Sequence, residues 1–77
     1  MVQAYVLIQT EVGMAKDVAL DIAAIDGVTR AEDVTGPYDV IVRAEAEDID
    51  ALGRLVIAEI QRRDGIARTL TCPIVNI

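Results

Sequence analysis

The chain has 77 residues with a formal net charge of −6, and 53% of them are hydrophobic. This length favours a single domain over residues 1–77, and one cysteine without any histidine excludes an internal disulfide and a zinc site of the His/Cys type. The basic residues are scattered, no apolar run has transmembrane length, and the N-terminus lacks a signal-peptide pattern, so we expect a cytoplasmic protein with no direct nucleic-acid or membrane partner.

The first third of the chain predicts a strand followed by a helix. Val2–Thr10 has strand composition, and its alternation separates two faces. One face carries Ala4, Val6 and Ile8, and the other carries Tyr5 and Leu7. The next stretch, "EVGMAKDVALDIAAI", has helical spacing, and Asp26-Gly27 is expected to end that helix. Its apolar face is predicted to hold Met14, Val18, Ile22 and Ile25.

The remaining elements are predicted from the same signals. Strands are expected at Val28–Thr35, Asp39–Glu45 and Ile66–Val75. Between the last two strands, either Asp48 or Asp50 can cap a second helix through a side-chain oxygen. The apolar stripe of this helix is predicted to contain Leu52, Val56, Ile57 and Ile60, before Asp64-Gly65 ends it.

An internal repeat supports this division. The segment "DGVTR" that starts at Asp26 matches "DGIAR" that starts at Asp64. The same offset joins apolar helix positions to one another: Met14 to Leu52, Val18 to Val56 and Ile22 to Ile60. A fixed offset of this kind indicates two copies of one supersecondary unit.

The element order β-α-β-β-α-β predicts an α+β fold of the ferredoxin-like class, a split sandwich with a four-stranded antiparallel sheet and two helices on one face. Strands one and three are expected in the centre, because charged residues in strand two and Pro73 in strand four suit edge positions. The sheet face opposite the helices still carries apolar residues. A second subunit that packs sheet on sheet is the simplest cover, so we expect at least a dimer.

The stretch "VTGPYDVIV" (residues 34–42) interrupts two apolar runs and has two interpretations. It can be a plain hairpin turn, with Tyr38 packed on the sheet and Asp39 bonded to the turn backbone. It can also form a small polar pocket, in which exposed backbone N–H groups bind a carboxylate and Asp39 faces an ammonium group. Such a pocket would complement an amino-acid zwitterion.

The residue inventory gives little support to catalysis. The chain lacks serine and histidine, which excludes a Ser-His-Asp or Cys-His site, and no glycine-rich phosphate loop is present. The acidic run "EAEDID" (residues 45–50) matches no calcium loop and is interpreted as a strand end and a helix cap. Cys72 is predicted to be a buried structural side chain. We therefore expect no catalytic residues, no metal ligands and no cofactors.

The motif and its neighbours resemble a known family. "VTGPYDVIV", the acidic linker and "LGRLVIAEIQRRDGIARTLT" are similar to the ligand-binding and oligomerisation domain of Lrp/AsnC transcriptional regulators, called the RAM domain. The family hallmarks are a Gly-x-Tyr/Phe-Asp step between strands two and three, a helix-ending glycine and a Thr-rich last strand. The resemblance runs from Ala4 to about Val75. Family members typically begin with a helix-turn-helix domain, whereas Met1 here directly precedes the first strand, so we expect a stand-alone RAM protein or a fragment of a longer one.

The resemblance implies a function and a site. It implies dimers that assemble into octamers or decamers and bind small effectors, commonly amino acids, at contacts between dimers. Full-length Lrp/AsnC-type regulators are further candidate partners, through mixed assemblies that act in transcription regulation. The ligand-binding residues implied by the motif are Thr35, Gly36, Tyr38 and Asp39, with Thr69 and Thr71 on the last strand.

Two rival hypotheses stand beside this effector-binding module. One is a small dimeric enzyme of the ferredoxin-like type, although many of those use a His or Trp that this chain lacks. The other is a purely structural assembly module with a vestigial pocket. Ligand binding distinguishes the first hypothesis from the last, and a turnover assay tests the enzyme.

Overall fold

A computed structural model describes residues 1–75 and contains four strands and two helical segments. The strands are β1 (Val2–Thr10), β2 (Val28–Asp33), β3 (Val40–Ala46) and β4 (Ile66–Pro73). Helix α1 spans Ala15–Ala23, and helix α2 spans Ile49–Arg54 and continues directly as a π-helical segment, Leu55–Ile60. The order β-α-β-β-α-β is the predicted one. Within residues 1–75, no helix is long and apolar enough to cross a membrane.

The four strands form one antiparallel sheet in the order β2-β3-β1-β4. This arrangement confirms the ferredoxin-like prediction and its central pair, β1 and β3. The sequence explains the edges. Strand β4 contains Pro73, which has no backbone N–H to donate to a further strand. Strand β2 carries the charged residues Arg30, Glu32 and Asp33 and is mostly exposed.

The hydrophobic core lies between the sheet and the two helices. Alternate residues of β1 and β3 point into it, because side chains on a strand alternate between faces. Each of these side chains has an exposed fraction of zero, and the sheet side of the core consists of Ala4, Val6, Ile8, Val40, Val42 and Ala44. The helical segments supply the other side with Val18, Ala19, Ile22, Leu52, Val56 and Ile60, and Ile25 joins them from the turn after α1. The predicted inward face of β1 is therefore confirmed.

The repeat seen in the sequence reappears in the backbone. Strands β2 and β4 begin at Val28 and Ile66, with the same offset that separates Asp26 from Asp64. Each strand follows a glycine in the left-handed region, with φ of +95° at Gly27 and +88° at Gly65. A side chain is strained at such φ values, which explains why both copies of the unit carry glycine at this position.

The second helix departs from the prediction. Its N-cap is Asp48, whose Oδ1 accepts a hydrogen bond from the Ala51 N–H at 2.7 Å. Ile57 was expected on the apolar stripe, and this is wrong, because its side chain is 64% exposed. The backbone N–H of Gln61 donates to the carbonyl of Val56 at 2.8 Å, which is the i to i+5 bond of a π-helix. The buried stripe consists of Leu52, Val56 and Ile60, and Ile57 lies beside it.

Four strand ends and both helix ends also differ from the prediction. Strand β2 ends at Asp33, β3 spans Val40–Ala46 and β4 ends at Pro73. The connection between β2 and β3 therefore comprises residues 34–39 and is longer than a tight hairpin turn. The helical segments end at Ala23 and Ile60, a few residues before Asp26-Gly27 and Asp64-Gly65.

The surface of the sheet opposite the helices, which we call the open face, lacks a cover in the single chain. Its centre is apolar, and Tyr5 and Leu70 are 41% and 48% exposed. Leu7 of β1 lies between two apolar partners, Ile41 on β3 and Leu70 on β4. Cys72, opposite Tyr5, is exposed on this face. The prediction of a buried cysteine is wrong because β4 is an edge strand whose residue 72 points away from the helices.

Candidate functional site

The connection between β2 and β3 forms one wall of a concave site beside the open face, which we call the turn depression. Its volume is ≈ 390 Å³. Two side chains of the sheet and five residues of the connection line it: Leu7, Ile41, Val34, Thr35, Gly36, Pro37 and Tyr38. Three of the predicted ligand-binding residues, Thr35, Gly36 and Tyr38, thus share one surface.

Main-chain bonds and one side-chain bond fix the turn to the sheet. The Val34 N–H donates to the Asp39 carbonyl at 2.8 Å, and the Asp39 N–H donates to the Ile8 carbonyl at 2.8 Å. The Gln9 side-chain amide donates to the Pro37 carbonyl at 3.1 Å. Gly36 has a φ of +152°, a conformation that L side chains rarely adopt. The end of β1 therefore anchors the segment that carries the motif.

Asp39 is bound to the end of β1. Its Oδ2 accepts a hydrogen bond from the Thr10 N–H at 2.8 Å and lies 3.3 Å from the Thr10 hydroxyl, which also donates to it. The structural interpretation of the sequence expected this carboxylate to bond the backbone of its own turn. Its donors instead belong to β1, across the sheet, and Asp39 lies outside the lining of the turn depression.

The two predicted threonines of β4 lie on the other face of the sheet. Thr69 is opposite Ile8 and Thr71 is opposite Val6, and both of these partners point toward the helices. The Thr69 hydroxyl accepts a hydrogen bond from the Gln61 side-chain amide at 2.9 Å. One chain therefore brings Thr35, Gly36 and Tyr38 together and keeps Thr69 and Thr71 apart from them.

Thr71 belongs to a second concave surface, which we call the helix–β4 groove. It has a volume of ≈ 350 Å³ and a mostly apolar lining. Two of its side chains, Ile49 and Ile57, are more than half exposed. The groove is lined by Ile49, Leu52, Gly53, Val56, Ile57, Gln61, Thr71 and Pro73. Sequence periodicity did not find this surface, because it assigned Ile57 to the core.

A polar network on the open face was also missed. The Arg43 guanidinium donates to the Tyr5 hydroxyl at 2.9 Å and to the Gln3 side-chain oxygen at 3.3 Å. The Gln3 amide in turn donates to Glu45 at 3.1 Å. These residues are distant in sequence and meet only through the β1–β3 register, so no local motif predicts them.

The comparisons with known proteins agree with this architecture. A family model described as the Lrp/AsnC ligand binding domain matches residues 3–77. The protein TTHA0845 from Thermus thermophilus is 28% identical, with a TM-score of 0.93, and the match covers 100% of this chain and 96% of that one. AsnC of E. coli is 26% identical with a TM-score of 0.90, and the match covers 99% of this chain and 52% of AsnC.

A curated relative gives the same result at the sequence level. An uncharacterized HTH-type transcriptional regulator of Pyrococcus furiosus is 32% identical over 56 residues. The match covers 73% of this chain and 37% of that regulator, so the chain spans much less than the length of this relative. The chain belongs to the Lrp/AsnC ligand-binding domain family.

Proposed function

We propose that this Lrp/AsnC ligand-binding domain is a self-assembling module that binds an amino acid or a similar small effector and performs no catalysis. The turn depression is the observation that carries the proposal. Its volume of ≈ 390 Å³ lies within the range of roughly 300–1,000 Å³ that is usual for small-molecule sites. Three of the residues implied by the family motif, Thr35, Gly36 and Tyr38, line it, and the fourth, Asp39, directly follows this lining in the chain.

The chemistry of the turn suits a zwitterion. Gly36 leaves the backbone open to approach, Tyr38 and Leu7 supply apolar walls, and exposed N–H groups of a turn bind carboxylates. The Thr10 donors occupy Asp39 Oδ2, and we assign Oδ1 to the ammonium group of the effector. A transcriptional regulator of Neisseria meningitidis has been crystallised in complex with L-Met, and at 17% identity it shares the fold with this chain.

A complete site requires more than one chain. Thr69 and Thr71 lie on the helix side of the sheet, so in this proposal they contribute from a neighbouring dimer. The open face supports the dimer itself, because its apolar centre is exposed in the single chain and a second copy would cover it. Rings of such dimers, as octamers or decamers, and mixed rings with full-length regulators of the family belong to the same proposal.

The charge of the chain supports effector binding without DNA contact by these 77 residues. A net charge of −6 opposes association with phosphate backbones, which requires clustered cations. In this proposal any influence on DNA comes from a regulator that shares the assembly. A gel shift with the purified chain at physiological salt tests the point, and a band that survives competitor DNA would contradict it.

Calorimetry with a panel of the standard amino acids tests the proposed function. We expect at least one of them to bind the wild type with a Kd below about 1 mM, which corresponds to about −4 kcal/mol. Asp39→Ala should weaken this binding by roughly 2–5 kcal/mol if the charged pair is desolvated. Absence of binding by every member of the panel would contradict the proposal and favour the structural assembly module.

Asp39→Asn provides the matched control for a structural role. Its amide keeps an oxygen that can accept the Thr10 hydrogen bonds but removes the charge. The proposal expects unchanged thermal stability and weakened binding. If Asp39→Asn binds the effector as tightly as the wild type, while Asp39→Ala unfolds, the carboxylate serves the turn alone.

A further inference from the structure

We propose that Arg30, Arg43 and Tyr5 form a binding site for one small oxyanion group, a carboxylate or a phosphate, on the open face. The site is a cleft of ≈ 200 Å³ beside the turn depression, which we call the arginine cleft. It is lined by Tyr5, Arg30, Glu32, Ile41 and Arg43. It shares Ile41 with the turn depression, but it contains none of the residues predicted to bind the effector.

The strand register places two cations side by side. Arg30 of β2 is directly opposite Arg43 of β3, and Arg43 is directly opposite Tyr5 of β1. Like charges at directly opposite positions destabilise an antiparallel pair. Glu32 offsets part of this repulsion, with its Oε1 at 3.5 Å from the Arg30 Nε, and both of these side chains are mostly exposed. The side chains that line the cleft, two arginines and one glutamate, therefore carry a net charge of one positive unit.

Neutral groups hold Arg43 in place. Its two bonds go to the Tyr5 hydroxyl and the Gln3 amide oxygen, and its guanidinium carbon lies 5.4 Å from the centroid of the Tyr5 ring. Within residues 1–75, none of its nitrogens lies within 4.0 Å of a carboxylate oxygen. Arg43 is half-buried, so its charge lacks both full hydration and a counter-ion from the described chain.

The free donors of the cleft suit an oxyanion. The Tyr5 oxygen already accepts a bond from Arg43, so its own O–H is available to donate. A guanidinium presents five N–H groups in a planar fork, and Arg43 uses two nitrogens for the bonds described. Together these groups offer the charge-assisted hydrogen bonds that carboxylates and phosphates accept.

The surroundings restrict the ligand to a single small group. Glu32 borders the cleft, and Glu45 lies next to it through the Gln3 amide. These carboxylates, together with the net charge of −6, oppose a polyanion such as a nucleic acid. One oxyanion between Arg43, Arg30 and Tyr5 is neutralised locally, whereas a chain of phosphates would meet acidic residues on both sides.

The oxyanion group that binds in the cleft can come from two sources. One is a free anion in solution, and the other is a glutamate side chain of a second copy that covers the open face. The second source rests on the dimer of the proposed function. If a second copy covers the cleft, it must bring an acceptor, because leaving a guanidinium buried and unpaired is costly. Glu32 and Glu45 lie on this face, and the contacts described for them use only Oε1 of each carboxylate, so Oε2 of either residue in the second copy can serve as the acceptor.

The experiment compares the wild type with Arg43→Met and with Arg68→Met as the matched control. Arg68 is an exposed arginine of β4 on the same open face, opposite Gln9 and outside the cleft, so it reports the effect of removing a charge from this face without touching the cleft. In the first arm, phosphate replaces chloride at constant ionic strength while NMR follows the arginine Nε–H signals. In the second arm, sedimentation equilibrium measures the dimer dissociation constant of each protein at low and high salt.

If the ligand is a free oxyanion, phosphate should cause saturable shifts of the Arg30 and Arg43 signals in the wild type. Arg68→Met should show the same shifts. In Arg43→Met, the Arg30 signal should no longer shift. A glutamate of the second copy predicts that Arg43→Met raises the dimer dissociation constant at least about tenfold, and that Arg68→Met raises it much less. The absence of both responses would overturn the proposal. A protein that stays monomeric contradicts the dimer, and the first arm then decides the cleft alone.

Tyr5→Phe keeps the test decisive if Arg43→Met does not fold. This change keeps the aromatic ring beneath the guanidinium and removes only the hydroxyl donor. The proposal expects weaker phosphate shifts in the first arm or a weaker dimer in the second. If Tyr5→Phe behaves like the wild type in both arms, the Tyr5 hydroxyl is not part of the binding site.

Discussion

The two faces of the sheet are made by the same strands, and they differ in what covers them. On the helix face, Val6 and Ile8 are completely buried, whereas their neighbours Tyr5 and Leu7 point to the open face. The buried side chains of the helix face are all hydrophobic, and among the described residues no buried polar or charged side chain occurs. The open face combines an apolar centre with the arginine cleft. This difference indicates that the helix face makes the fold, and that the open face is available for assembly and recognition.

The largest expected effect comes from the helix face. Ile8→Ala removes a fully buried side chain from the core and should lower the free energy of unfolding by roughly 2–5 kcal/mol. Urea denaturation at a fixed protein concentration measures this change. Leu7→Ala is the control from the adjacent position, and in the single chain it should cost much less. If both variants lose the same free energy of unfolding when they are measured as dissociated monomers, the distinction between the faces is contradicted.

A charge on the open face should separate assembly from folding. Leu7→Glu places a carboxylate in the apolar centre, and an uncompensated buried charge costs roughly 3–5 kcal/mol in an interface. We expect a monomer that keeps the wild-type circular dichroism spectrum, because Leu7 does not contribute to the helix-side core. Light scattering gives the mass. An intact Leu7→Glu dimer would show that another surface holds the chains together.

The smallest expected effect concerns helix α2, which packs on the helix face of the sheet. Asp48→Ala removes the cap of α2 and should cost about 1 kcal/mol of stability. Asp50→Ala is the matched control, since Asp50 lies in the first turn of the same helix without being its cap. Thermal denaturation of the two variants measures the difference. A larger loss for Asp50→Ala would place the start of the helix elsewhere.

The fold was predictable from the sequence because several signals agree. The alternation of β1 separates its faces, the repeated Asp-Gly marks the turns that lead from the helices into β2 and β4, and Pro73 marks an edge strand. The π-helical turn was not predictable, since nothing in "LVIAEI" distinguishes it from an α-helix. Ile57 was misplaced because an apolar residue next to Val56 suggested a wider buried stripe than the structure has. Cys72 was misplaced for a related reason: an apolar residue type favours burial, but its position on an edge strand of the open face exposes it.

The candidate site was predictable only in part. A local motif identified the turn, so Thr35, Gly36 and Tyr38 were found as a group. The partner of Asp39 was not found, because Thr10 meets it across the sheet rather than along the chain. The same limit applies to the arginine cleft, in which residues of three strands meet through register alone.

The mass of the purified chain in solution tests the central claim, that a second copy covers the open face, most directly. Size-exclusion chromatography with light scattering at micromolar concentration gives this mass without labels. We expect an even multiple of the 8.3 kDa chain, from a dimer to a ring of dimers. A clean particle of 8.3 kDa under these conditions would contradict the claim.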